Sequence, residues 1–407
     1  MDQRTSDRDT DVTTEFERDV VKLLLETMRA VAKQEREDVG TEGLLYALVS
    51  GDWAAGSAIA PGMKASGTLG GSIASRGTAV WISADAGDGA VGSPDDEREI
   101  DAFWREVRQE EAKRLRWKNR KEEEQEWESF ELPPMTGALR TVLRKALEAA
   151  REEGTVSVRV RHVARALIEL PDTRAREAMV VEKLDVSAAS TALQALRGSD
   201  EAVEPGSVLM MRKAGTFGKS GNPLTRKFIA WAFGGGAGFG SAVVGAVRTE
   251  AHRGAVRRGA PATEAVDVLL GILALDRSLT VADRALPEEL AGANRGAKLL
   301  RRHGARQGAV ARVLLPSTGV AQEVPPEVDG SADFERRLLH VTQFTASAQG
   351  SPTVGTTHLL AALLDEVGTD AESAAEVERV LTESGVDVDG LRAEPELRVP
   401  GGAERGV

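Results

Sequence analysis

Five histidines are the most chemically versatile side chains in this sequence, and their spacing argues against metal or acid–base chemistry. His162, His252, His303, His340 and His358 are dispersed, with no H-E-x-x-H pair and no carboxylate cluster at ligand spacing. The sequence has no cysteine, which removes disulfides, thiolate nucleophiles and cysteine-ligated zinc. No G-x-S-x-G elbow or Ser/His/Asp constellation stands out. The nearest approach to a phosphate-binding loop is Lys213–Ser220, KAGTFGKS, in which Lys213 stands where the first glycine is needed. Without that tight turn the backbone amides do not converge on a phosphate. These features predict no catalytic residue, no metal, no cofactor and no enzyme. A nucleotide-binding or hydrolytic enzyme using the Gly-rich segments is the alternative.

The elements point the same way. Aromatic residues make up only 4% of a chain that is 41% hydrophobic, so its cores must be built from Ala, Val and Leu, which suits close helix packing. One helix-hairpin pattern recurs four times. It begins near Phe16, Met135, Ser241 and Asp333, each time as a helix with apolar residues three and four apart, a polar turn and a second apolar helix. Weaker helix pairs follow each hairpin, giving four helices per repeat. A repeat that cannot bury its own apolar face needs a neighbour, so four copies predict two paired modules.

The resulting organisation is a polar tail over 1–13 and a first module over 14–198 with an insertion at about 55–134. A Gly/Pro/Ser-rich linker covers 199–236, a second module 237–393 and a tail 394–407. Within the insertion, 67–92 reads as a loop or one strand, and 95–128 as a charged helix carrying Trp104, Trp117 and Trp127. A tryptophan beside arginine is common at interface hot spots, which makes Trp104 and Trp117 peptide-binding candidates. They would equally serve to cover a repeat's apolar groove from within the chain.

The segments VGTEGLLYAL (39–48) and VGTTHLLAALL (354–364) resemble the turn and helix of the Clp ATPase N-terminal domain, also called the Clp R domain. Gly350 lies six residues before Thr356 and Gly154 six before Val160, so the hairpin spacing is shared. The resemblance implies an all-α fold of two Clp-N-like modules, each a pseudo-twofold pair of four-helix repeats, without the family's ATPase modules. In the ClpC branch such domains bind phosphoarginine through a threonine at the start of the first helix and a glutamate in the turn. Carried onto this chain, the pattern is divided. Glu42 is present in the first repeat, where Glu17 takes the threonine position; Thr136 is present in the second, where Arg161 replaces the glutamate. The third has Ser241 and Val266, and the fourth has Thr357 at the glutamate position. Glu42 and Thr136 are therefore the remaining peptide-binding candidates, and Glu42 also suits a plain first-turn role favouring the helix dipole.

The resemblance implies proteins or peptides as partners, including Clp protease components or their substrates, with this chain as an adaptor or a decoy. A net charge of −12 argues against nucleic acid. The stretch 212–312 is basic, with 17 Lys/Arg against 7 Asp/Glu, and either complements acidic neighbours or docks an acidic partner. The uncharged run 228–247 has the length of a membrane span, which leaves a membrane-associated scaffold as another alternative, but six of its twenty residues are glycine and its second half fits a helix of the third repeat. No secretory signal pattern opens the sequence, so the expected location is cytoplasmic, without a membrane.

Overall fold

A computed structural model describes residues 13–76, 81–90, 92–120, 132–197, 204–218, 241–315, 331–365 and 369–398. Among these the regular structure is helical apart from one two-residue pair of strands. It divides into two units, one made mainly of residues 14–203 and the other of 204–316 with 325–407.

In the N-terminal unit, β1 (Glu15–Phe16) leads into α1 (Arg18–Lys33) and α2 (Thr41–Ser50), then two shorter helices, α3 (Ala54–Ile59) and α4 (Met63–Ser75). After α5 (Pro94–Arg120) the order returns as α6 (Gly137–Glu152), β2 (Ser157–Val158), α7 (Val160–Glu169), α8 (Arg174–Val181) and α9 (Val186–Ala195). Val20, Leu23, Leu24, Met28 and Val31 give α1 one buried face, while Lys22, Arg29 and Lys33 stay exposed. The more apolar α2 is buried on nearly every side.

The two repeats of this unit exchange their leading segments. Phe16, just before α1, pairs with Val158 in the turn of the second repeat; Met135, just before α6, pairs with Val39 in the turn of the first. The flanking bonds match: the amide of Glu17 donates to the Val158 carbonyl and that of Thr136 to the Val39 carbonyl, each at 3.1 Å. Neither hairpin end would satisfy these backbone groups alone.

α5 is part of the core. Ile100, Phe103, Trp104 and Val107 recur at helical spacing and are buried with α1 and α6. Pro94 opens the helix, and Asp95, Asp96 and Glu97 occupy its positively polarised first turn. On α6, Arg151 grips Asp96 through two bonds of 2.6 and 2.8 Å, Arg144 meets Glu97 at 2.9 Å, and Arg140 pairs with Glu97 and Asp101. Most of the described part of the stretch expected as an insertion is thus helical, and Ile59 of α3 and Leu69 and Ile73 of α4 are buried with the same core. Residues 67–75 are helical because Leu69 and Ile73, four apart, find buried sites that outweigh the poor propensity of their glycines.

The C-terminal unit begins with α10 (Gly206–Ala214), inside the stretch expected to be linker; Val208 and Met211 are buried against its neighbours. It continues with α11 (Ala242–Arg258), α12 (Ala265–Val281), the short α13 (Glu288–Ala291), α14 (Gly296–Arg302) and α15 (Gln307–Leu314). The second half runs through α16 (Ser331–Ala348), α17 (Thr356–Leu364), α18 (Ala371–Glu383) and α19 (Val388–Ala393). Small residues let α11 and α12 meet at backbone distance: a Cβ on Gly271 would lie 2.8 Å from the Val247 carbonyl oxygen. The expected tail is ordered as far as Arg398. Leu397 is buried in a 3-10 turn, and the Gln349 amide donates to the carbonyls of Glu396 and Arg398 at 3.1 Å. Most of the uncharged run lies outside the described residues, and no described helix is long and apolar enough to cross a membrane.

Candidate functional site

The V-G-T-E turn ahead of α2 sits in a buried polar cluster of the N-terminal unit. Gly40, not Thr41, caps the helix, which leaves the Thr41 amide and hydroxyl at the helix start for an outside acceptor. That acceptor is Asp85, 44 residues downstream. Its carboxylate takes the Thr41 amide at 2.9 Å, the Thr41 hydroxyl at 2.6 Å, the Thr136 hydroxyl at 2.8 Å and the Arg174 amide at 3.2 Å. Asp85 is buried and holds a left-handed φ of 54°. The starts of α2 and α8 and the cap of α6 thus converge on one oxyanion.

Behind this cradle lies a buried ion cluster. Arg36 donates to Glu42 at 2.6 Å and to the carbonyls of Ile73 and Arg76 at 2.8 and 3.0 Å. Arg174 forks onto Asp38 at 2.7 and 3.2 Å and reaches the same Glu42 oxygen at 3.3 Å. The second oxygen of Glu42, fully buried, has no hydrogen-bond partner. Burial raises the Glu42 carboxyl above its ordinary value; Arg174 and Arg36 oppose that, and the charge of Asp85 adds to it.

The exchange of leading segments thus brings Glu42 and Thr136, from different repeats, to one place. Thr136 also caps α6, accepting from the Leu139 amide at 3.2 Å. The tryptophans do not join them. Trp104, expected to bind peptide, is only 7% exposed and packs in the core because Ile100 and Phe103 widen the inward face of α5. Trp117 is 62% exposed further along the same helix, and Trp127 lies outside the described residues. Sequence reasoning missed Asp85, Arg36 and Arg174; an aspartate in a small-residue stretch just before Gly87 and Gly89 reads as a turn, and neither arginine has a partner visible along the chain.

The turn histidines act as caps. His162 Nδ1 accepts the Arg159 amide at 3.0 Å and His358 Nδ1 the Gly355 amide at 3.1 Å; Asp267 does the same for Glu264 at 2.9 Å. Burial lowers His358 below the usual imidazole range, keeping it a neutral acceptor. Among the described residues no group of His, Asp and Glu is arranged to hold a metal. Lys213 lies in the last turn of α10, which ends at left-handed Gly215, so this part of the Gly-rich segment closes a helix rather than opening one.

His162 Nε2 and Arg161 both meet Glu153, at 3.1 and 2.6 Å. Burial pulls Glu153 upward, but these bonds prevail and hold it at about 2. A depressed carboxyl adds stability above its unfolded pKa and loses it as pH falls through the folded one. The N-terminal unit should therefore weaken between about pH 4.5 and about 2. Glu153→Gln should flatten that acid limb, as read by urea unfolding across the window; an unchanged limb would remove Glu153 from this role.

No family model, curated protein or solved structure matches the chain. What the cluster offers is recognition chemistry: convergent amides and hydroxyls for an oxyanion, beside carboxylates suited to a guanidinium.

Proposed function

We propose that this chain is a non-enzymatic protein-binding factor of the Clp N-terminal kind, acting as an adaptor or a decoy in Clp-dependent proteolysis. The observation that carries this reading is the reciprocal pairing of Phe16 with Val158 and Met135 with Val39. It supports a module made of two interlocked repeats and unites Glu42 with Thr136, the two positions where the resemblance predicts peptide contacts. Its partners are then proteins or peptides, with no nucleic acid or membrane required.

The test is a reconstituted Clp unfoldase and peptidase degrading a fluorescent unstructured client. Added chain should change the degradation rate and co-elute with client or unfoldase. An adaptor accelerates turnover and a decoy slows it. Unchanged turnover without co-elution would reject the proposal.

A further inference from the structure

The occupant of the α2–α8 cradle comes from the segment between the two repeats, and a single carboxylate fills the cradle. Of residues 81–90, only Asp85 is buried; Ile82 is 93% exposed. Trp81 packs half-buried against the core beneath Arg76, and the Ala138 amide donates to the Asp85 carbonyl at 2.9 Å; the other contacts of the strap are surface bonds. Glu177 accepts the Ile82 and Ser83 amides at 2.9 and 3.3 Å, the Ser83 hydroxyl donates to the Asp172 carbonyl at 2.6 Å, and Asp88 accepts from the Thr141 hydroxyl at 3.1 Å.

The C-terminal unit closes the corresponding helix start by different means. There Asn294, two residues before α14, accepts the Thr356 amide at 2.9 Å, and the Gly296 amide donates to the Thr356 hydroxyl at 3.1 Å. The N-terminal unit has the matching bond, from the Ala175 amide to the Thr41 hydroxyl at 3.1 Å, which makes Thr173 the equivalent of Asn294. Thr173 instead caps its own helix, its hydroxyl accepting the Arg176 amide at 3.0 Å, and the neighbouring Asp172 supports the strap through its carbonyl. A neutral amide from the unit's own loop closes one site, and a charged side chain from outside the repeats closes the other.

The strap also carries an internal cost. Asp85 adds its negative charge beside Glu42, whose second oxygen is already buried without a partner. A ligand bringing an oxyanion for the cradle and a donor for Glu42 would satisfy both groups.

We infer that residues 81–90 are a displaceable strap whose Asp85 carboxylate occupies an oxyanion site, keeping it closed until a phosphoryl or carboxylate group takes its place. This rests on the binding role proposed above, but its test needs no Clp component, so either can fail alone.

Two variants of the full chain open the site by independent routes. Asp85→Gly empties the cradle and suits the left-handed backbone. Gly137→Ala keeps Asp85 but places a methyl group into the Ala86 carbonyl oxygen, driving the strap off α6. Melting temperature is followed against inorganic phosphate and, separately, acetate, with chloride matching ionic strength. Both variants should bind phosphate, acetate or both at least about tenfold more tightly than the parent, about 1.4 kcal/mol, and the anion that binds defines the ligand class. Adding Thr136→Val should abolish the response. Equal responses in parent and variants, or none in a folded variant, would overturn the inference. If Asp85→Gly does not fold, Gly137→Ala decides.

Discussion

Phe103→Ala is expected to destabilise the N-terminal unit by about 3–5 kcal/mol, the range for losing a buried aromatic side chain and leaving a cavity. Phe103 is fully buried on α5 and stacks on Phe16, with ring centroids 4.3 Å apart and an interplanar angle of 26°. Phe16 belongs to β1, which pairs with the turn of the second repeat, and its amide donates to Glu99 on α5 at 3.3 Å. The substitution therefore loosens the extra helix and the exchanged strand together. Five of the six tryptophans lie between positions 53 and 127, so their fluorescence reports this unit rather than the other. Urea unfolding followed by tryptophan emission should show the loss, while the transition of the C-terminal unit, followed by circular dichroism, keeps its midpoint. A loss below about 1 kcal/mol, the scale of a surface substitution, would mean that α5 is an appendage. It would also make excision of residues 95–128 a clean way to probe binding, which the buried face of α5 argues against.

The helices were legible where burial follows local period. In α1, α6 and α7 the apolar residues fall three and four apart, and that pattern is the buried face itself. It failed where composition outvoted two or three key residues. In α10, Val208 and Met211 sit between Gly/Pro/Ser-rich flanks that read as linker, although those two side chains dock the helix. In α5 charged residues dominate the composition, although Ile100, Phe103, Trp104 and Val107 form a full buried face. The site was half legible. Glu42 and Thr136 stood out by type and position, yet their union depends on Val39 meeting Met135, a pairing between segments 96 residues apart that no local pattern encodes. Asp85 was invisible for the same reason. Its role is set by three helix starts that converge only after the repeats interlock, and a left-handed aspartate near glycines has no sequence signature beyond a turn.

Arg36→Met should cost the N-terminal unit about 3–5 kcal/mol at neutral pH, because it leaves a buried carboxylate without its nearest cation. Arg36 and Glu42 are 2.6 Å apart, with side chains 3% and 0% exposed, and water cannot replace either partner without opening the core. The arginine also satisfies two carbonyls at the end of α4, so part of the loss is independent of charge. Glu42→Gln should cost less, since the amide oxygen can still accept from Arg36 and a buried charge is removed. The pH dependence separates these terms. Burial already raises Glu42 above its unfolded value, so the folded state favours the protonated form, and the corresponding stability is lost as pH rises through the folded pKa. Without Arg36 that carboxyl should rise further. The deficit of Arg36→Met should therefore shrink as pH is lowered towards 4.5, the ordinary glutamate value, while the deficit in the Glu42→Gln background stays level. Urea titrations of the parent, both single variants and the double variant at neutral and acidic pH close the cycle, with an expected coupling of about 1–3 kcal/mol. A deficit in Arg36→Met that does not change with pH would place the energy in the carbonyl bonds to α4 and leave Glu42 a bystander in its own cluster.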